Sequence, residues 1–501
     1  MVCIVGISNV GVGIAEFLQS INEPCKVFLQ ENSVYVNALE AKGINYMAAD
    51  LDNLHLLFNG DTLEGVTAAI FPSEDEPFNL RAAMYAYELK RELKVVVRLF
   101  NLNMAKKLES SIPNFTVLSV SLLSAAAFAA FALLKSPVSA FMADSEATVI
   151  YNINAVEFGG MNVAEVEEIY DIRIISINDQ MFPPPTLTLN SIDQLIVISS
   201  IEISIKLSGI CRGAKEQATA AKEKRPFHFR NLFKGDTILT TTVAALVLIL
   251  TGSSLYFHYH DGLSPINAIY FTITMITTVG FGDISLKDSS TVSKVIGMFV
   301  MLSGVTVTAV FFAILTGYIL KKRIDLLMGH KRFNAKDHVV LCGIGDVGIR
   351  VLDHLISLGQ QVVVIEKNPE NKHIPLVQDS GIPLIISEAV STQTLINANI
   401  EYAKSIVACT NEDMKNLEIA LNARSLNSNI RAVLRIYDVG FARILERHFD
   451  IHYALSPAFL AAPVFAFKAL GMDLDGVFSV KGQTYKVVKE GWEKLCIKKL
   501  A

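Results

Sequence analysis

Thr277-Thr278-Val279-Gly280-Phe281-Gly282-Asp283 lies between two uncharged apolar runs, and its residue types suit a loop that turns backbone carbonyls toward an ion. A dehydrated cation needs oxygen dipoles in place of its water, and four copies of one short extended segment around an axis stack such oxygens in rings. Pointing consecutive carbonyls to one side requires backbone conformations that ordinary residues resist, and Gly280 and Gly282 supply the positive φ values. The Thr278 hydroxyl offers a further oxygen at the inner end. Asp283 pins the outer end through a hydrogen bond or draws cations to the mouth.

Thr278 to Asp283 resembles the potassium-channel signature TVGYGD, with Phe281 where Tyr is usual. The resemblance implies a selectivity filter of Thr278, Val279, Gly280, Phe281 and Gly282 closed by Asp283, with K+ as the permeant ion. Phe281 removes a hydroxyl that would hydrogen-bond behind the filter and leaves the carbonyl chemistry intact.

Outward from this loop, residues 237–257 and 295–320 carry no charge and are long enough to cross a bilayer. Basic residues (Lys222, Lys224, Arg225, Arg230 and Lys234 before the first run, Lys321-Lys322-Arg323 after the second) put both flanks on the cytoplasmic side. The uncharged run 262–282 is read as re-entrant rather than as a third span, because Ser264 caps and Pro265 opens a pore helix over 265–277 whose C-terminal dipole favours a cation. Non-helical backbone at that depth is tolerable where it lines a wet path. Gly304, in the second run, stands where two-span potassium channels of this kind place a gating hinge; close helix packing is the competing role for it, shared with Gly297 and Gly317.

The 501 residues are 51% hydrophobic and 19% charged, so part of the chain belongs in lipid. A net charge of -5 without a basic stripe argues against nucleic acid as a partner. The six scattered cysteines suggest neither a disulfide framework nor a zinc site, and the N-terminus lacks the features of a signal peptide.

Both flanks read as α/β domains. Val339 to Cys342, an apolar strand, leads into Gly343-Ile344-Gly345-Asp346-Val347-Gly348, and the next strand ends on Glu366, placed for ribose hydroxyls. Phosphates would sit on the amides at the helix start. The N-terminal flank opens the same way, with Gly6 and Gly11, but Ser8 takes the second glycine position and Leu29 the place of the acid. Gly6 and Gly343, Asn79 and Asn416, Arg98 and Arg435, and Ser119 and Ser456 all stand 337 residues apart, so one domain occurs twice. The repeat also decides the uncharged run 110–134: its mate holds Pro457, Pro463 and Lys468, which suits a helix within or between soluble domains.

These halves resemble the RCK (regulator of conductance of potassium) domain. The resemblance implies a nucleotide site at Gly343, Gly345, Gly348 and Glu366, approached by Thr410, Asn411 and Asp413, with Gly6 and Gly11 as its counterpart in a first copy that is as well read as a scaffold. The intact glycines with Glu366 favour NAD, NADH or another adenine nucleotide as the ligand; a divalent cation such as Ca2+ held by Asp50, Asp52, Asp75 and Glu76 stays open beside it.

The expected organisation is an N-terminal Rossmann-like domain (1–140), a small α/β subdomain (141–209), a basic linker (210–235), an α-helical pore unit (236–323), a linker (324–337), a second Rossmann-like domain (338–472) and a short C-terminal segment (473–501). The expected function is a ligand-gated potassium channel of the plasma membrane with both termini cytoplasmic, a homotetramer whose eight RCK domains form a ring. It is not read as an enzyme. A membrane-tethered NAD-dependent oxidoreductase and a regulatory subunit of a potassium transporter are the competing readings.

Overall fold

The structure, a computed structural model, describes residues 1–58, 62–143, 146–178, 180–210, 237–328, 333–449, 451–472, 476–480, 483–489 and 495–499. The basic residues 222–234 lie outside them. The chain divides into a larger unit, residues 1–216 with 329–501, and a smaller one, residues 217–328.

In the larger unit, strands β1 (Val2–Val5), β2 (Cys25–Leu29), β3 (Tyr46–Ala48), β4 (Ala68–Phe71), β5 (Lys94–Arg98) and β6 (Phe115–Leu118) form a parallel sheet in the order β3-β2-β1-β4-β5-β6. The Val-, Ile- and Ala-rich runs of the central β1, β4 and β5 are buried on both faces, which is why they do not alternate, while β3 and β6 at the edges are partly exposed. The chain order reverses beside β1, where such folds leave a crevice beyond the strand ends. An antiparallel sheet follows, from β7 (Pro137–Ala143), β8 (Glu146–Asn154), β9 (Arg173–Ile177), β10 (Gln180–Met181) and β11 (Gln194–Ser200).

The second copy repeats the first sheet with β12 (Val339–Cys342), β13 (Val362–Glu366), β14 (Leu384–Ile386), β15 (Ser405–Ala408), β16 (Arg431–Arg435) and β17 (Tyr453–Leu455), ordered β14-β13-β12-β15-β16-β17. Beyond it, β18 (Gly476–Val480), β19 (Gln483–Lys489) and β20 (Leu495–Lys499) form an antiparallel meander. Phe478, Tyr485 and Val487 of the meander share a core with Phe141, Ile150, Ile175 and Ile198 of the antiparallel sheet. The C-terminal segment is therefore a small sheet closing the open face of the subdomain.

Among the described helices, six bear on the sites: α1 (Asn9–Ser20), α2 (Glu76–Leu89), α3 (Val120–Leu133), α4 (Asp346–Ser357), α5 (Asp413–Leu426) and α6 (Pro457–Ala469). The alanine-rich α3 ends the first copy yet shares its core with Val347, Val351 and Leu355 of α4 in the second. In return, Ala458, Ala461, Ala462, Phe465 and Ala466 of α6 join the core of the first copy with Val10 and Ile14 of α1. Small residues permit this close approach: a Cβ on Gly13 would stand 3.2 Å from Ala462 Cβ. The run 110–134 is thus a strand and a buried helix between domains.

The smaller unit holds two helices long and apolar enough to cross a membrane, over Thr241–His260 and Thr291–Ile314, with only 22% and 17% of their most apolar windows buried inside the chain. Such exposure differs from that of a soluble core helix and leaves apolar side chains for lipid or further copies. The complete helices run Thr237–His260 and Thr291–Met328, the second continuing past the basic Lys321-Lys322-Arg323. Between them lies a short helix, Pro265–Ile276, with Pro265 in its first turn and Ser264 Oγ accepting the Asn267 N–H at 3.3 Å. Phe257, Phe271, Met275, Ile276 and Val300 hold the three helices together.

The exchanged helices carry a clear expectation. Phe465 is fully buried in the other copy's core, so Phe465→Ala should destabilise the larger unit by about 3–5 kcal/mol. Both copies should then lose protease resistance together, as followed by limited proteolysis on heating.

Candidate ion-conduction and nucleotide sites

The loop after the short helix has the backbone a carbonyl-lined path needs. Thr278, Gly280 and Gly282 have φ of 60°, 47° and 79°, alternating with residues of ordinary conformation. The left-handed Thr278 was not anticipated, since a β-branched residue resists positive φ. Its N–H donates to the Met275 carbonyl at 3.2 Å, while the Val279 and Gly280 N–H groups both reach the Thr274 carbonyl, at 3.1 and 3.2 Å. Donors turned back toward the helix end leave the loop's carbonyls without those partners. The Tyr270 hydroxyl faces the Asp283 carboxylate at the outer end of the loop. Val279 and Phe281 are 53% and 71% exposed within one chain. Gly304 lies within the unbroken second long helix. His258 Nδ1 contacts the Leu263 carbonyl at 2.6 Å, closing the turn that follows the first span.

In the second copy, Gly343 has φ +88° and lies under the end of β15: a Cβ there would stand 3.2 Å from Thr410 N. A Cβ on Gly348 would come 2.0 Å from the Gly343 carbonyl oxygen, so only glycine lets α4 pack on the turn. Nothing lies within 4 Å of the position a Gly345 Cβ would take, which leaves the start of α4 approachable. Glu366, 8% exposed, accepts from Ile344 N and Asn368 N at 2.9 Å and from Asn371 Nδ2 at 3.2 Å. Gly343, Gly345, Glu366 and Thr410 are thereby gathered around one turn. Asp413 faces elsewhere: its carboxylate accepts the Tyr437 N–H at 3.0 Å, and burial raises its pKa above the usual value. Asn411 likewise pairs with Arg435 at 2.8 Å.

The first copy closes the equivalent crevice. The Phe78 ring lies over Gly6, whose Cβ would come 2.6 Å from Phe78 Cε1. Ser8 Oγ donates to the Pro72 carbonyl at 2.6 Å, and the place of Glu366 is taken by Leu29, 1% exposed. The counterpart of Phe78 is Lys415, which pairs with Glu412 at 2.6 Å. That substitution lay in plain view in the sequence, 337 residues apart, but its effect depends on where the ring points.

Between the copies is a cleft of about 490 Å³, to which the first copy contributes Arg98, Phe100 and Ser119 and the second Asp346, Arg435 and Tyr437. Burial pulls the Arg98 pKa down, with Glu74 opposing the shift. Phe100 reaches across, its ring centroid 4.8 Å from the Arg350 guanidinium and 5.1 Å from Lys372 Nζ.

Residues 2–117 and 339–457 match the TrkA-N domain family, and residues 244–321 match an ion-channel family. An uncharacterized protein of Methanothermus fervidus is 35% identical over 236 residues, 42% of this chain and 36% of that protein. The voltage-gated potassium channel Kch of Escherichia coli is 26% identical over 253 residues, 48% of this chain and 59% of the relative. The chain thus spans between 36% and 59% of the length of these curated relatives. Among solved structures, the GsuK RCK domain covers 94% of this chain and 76% of its own, with a TM-score of 0.53 at 13% identity. The GsuK channel bound to NAD covers 94% of this chain and 63% of its own, with a TM-score of 0.52 at 13% identity, and at that identity the likeness is one of fold. Along the chain, two segments that match the TrkA-N (RCK) family thus stand before and after a two-helix segment that matches the ion-channel family.

Asn416 supports the second copy's turn from below. Fully buried, its Oδ1 accepts from Thr410 N and its Nδ2 donates to the Thr410 and Arg435 carbonyls at 3.1 and 2.8 Å. Asn416→Ala strands these groups and should destabilise this copy by about 2–4 kcal/mol, read as faster amide exchange at Thr410 and in β16.

Proposed function

We propose that the protein is a ligand-gated, potassium-selective channel of the plasma membrane, a homotetramer with both termini in the cytoplasm. The alternating backbone of Thr278–Gly282, with its N–H groups turned toward the helix end, is the observation that carries this reading. Four loops surround one axis, and eight RCK domains form the ring that moves the second long helix. The names carried by relatives such as Kch support the ion.

The regulatory ligand is an adenine nucleotide, NAD or NADH foremost, bound by the second copy of each chain. Gly343, Gly345 and Gly348 present the turn, the start of α4 takes the phosphates, and Glu366 takes the ribose hydroxyls. Gly6 and Gly11 belong to a copy retained as scaffold, with Phe78 over its turn. A divalent cation is the weaker ligand. Asp75 already accepts the Phe78 N–H at 3.0 Å and Glu76 the Phe100 N–H at 2.7 Å, and among the described residues no three His, Cys, Asp or Glu side chains are grouped for a metal. A relative of Thermoplasma volcanium, 24% identical, is nonetheless named a calcium-gated potassium channel, so calcium belongs in the test.

In a planar bilayer with opposed potassium and sodium gradients, the current should reverse near the potassium equilibrium potential and its open probability should respond to NAD or NADH. A response to calcium alone would overturn the nucleotide reading, and reversal at neither ion's potential would overturn potassium selectivity. Calorimetry should give one nucleotide per chain; two per chain would contradict the scaffold role of the first copy. Glu366→Gln should weaken binding about tenfold or more, as expected for a charge-assisted hydrogen bond worth roughly 1.5–3 kcal/mol.

A further inference from the structure

Three glycines in the second long helix differ in what a side chain would meet. A Cβ on Gly297 would come 2.5 Å from Leu286 Cδ1, the far end of a flexible side chain, and one on Gly317 would find nothing within 4 Å. One on Gly304 would lie 3.0 Å from Ile276 Cα, 3.1 Å from its Cγ1 and 3.3 Å from its Cβ. Ile276 is the last residue of the short helix and is 5% exposed. The backbone around it is the anchor of the ion loop, since the Thr274 and Met275 carbonyls hold the N–H groups of Thr278, Val279 and Gly280. A side-chain tip can rotate away from a new methyl group, whereas a helix end tied to three loop amides moves only by carrying the loop with it.

We propose that Gly304 is a positioning residue for the ion path rather than a hinge. Its missing side chain lets the second long helix lie against the Ile276 backbone and sets where the loop 277–282 hangs. This rests on the channel reading for its consequence and on the contact alone for its geometry.

The two roles differ in sign. Alanine is the better helix former, so at an unobstructed glycine it raises the unfolding midpoint, and Gly317→Ala in the full-length protein should do so. Gly304→Ala should lower the midpoint. It should also raise the sodium-to-potassium permeability ratio by about tenfold, equivalent to roughly 1.4 kcal/mol, while the response of open probability to the regulatory ligand survives. A raised midpoint, or an unchanged permeability ratio and unitary current, would overturn the proposal. If Gly304→Ala does not assemble, Gly317→Ala, which meets nothing within 4 Å, should still do so; failure of both alike counts against a contact particular to Gly304. Should the wild-type protein pass no potassium current, the channel reading falls, while the opposite midpoint shifts at Gly304 and Gly317 still decide whether the contact is real.

Discussion

Two helices that bury their side chains in each other's domains hold the larger unit together. Without α6, the first sheet would expose the face on which Phe465 now lies, and without α3 the second would lose the alanines packed against Val351 and Leu355. Small residues make the exchange possible, because helices approach only as closely as their contact side chains allow. The consequence for the nucleotide turns is geometric. Neither copy has a complete core alone, so the starts of α1 and α4 face one cleft, and Phe100 of one copy reaches the cations beside the other's turn.

The smaller unit obeys a different constraint. In lipid a backbone donor left unpaired costs several kcal/mol, and a loop at that depth has to find partners within the protein. Two carbonyls at the end of the short helix provide them for three successive loop amides. Ordering the donors in this way also sorts the loop's two kinds of dipole, and Tyr270 faces Asp283 at its other end. The chemistry of the loop therefore depends on the position of the helix terminus, which Phe271, Met275 and Val300 fix by packing.

What could be read from residues alone was whatever demands a special backbone or a length. Gly280, Gly282, Gly343 and Gly348 announce themselves because a positive φ or a close approach favours glycine, the uncharged runs because charge is missing over a bilayer's width, and the repeat because its offset is constant. Other features depend on direction, which linear order conceals. The helix Val120–Leu133 is apolar on every side, so its burial was legible but its partner in the other copy was not. Asp413 stands at the expected loop position yet turns to Tyr437, and Phe78 closes a crevice only because its ring lies over Gly6. The strands β18 to β20 are only 5, 7 and 5 residues long, and their apolar and polar residues keep no strict alternation over that length, so no periodic pattern signals a sheet.

The asymmetry between the copies bears on how strongly a ligand can act. A ligand shifts an equilibrium only by its differential affinity for the two states, and moving a gate from one per cent open to ninety-nine takes about 10⁴-fold, or roughly 5.5 kcal/mol. In the proposed tetramer, one open turn per chain makes four sites, so about tenfold preference at each, near 1.4 kcal/mol, is enough. That is the order of one charge-assisted hydrogen bond made in one state and lost in the other. Glu366 is suited to such a difference: its carboxylate already holds the Ile344 and Asn368 amides, so small movements of that turn change what remains for a ribose. With four open turns in the proposed tetramer, enough ligand energy thus remains for a switch although Phe78 covers the turn of each first copy.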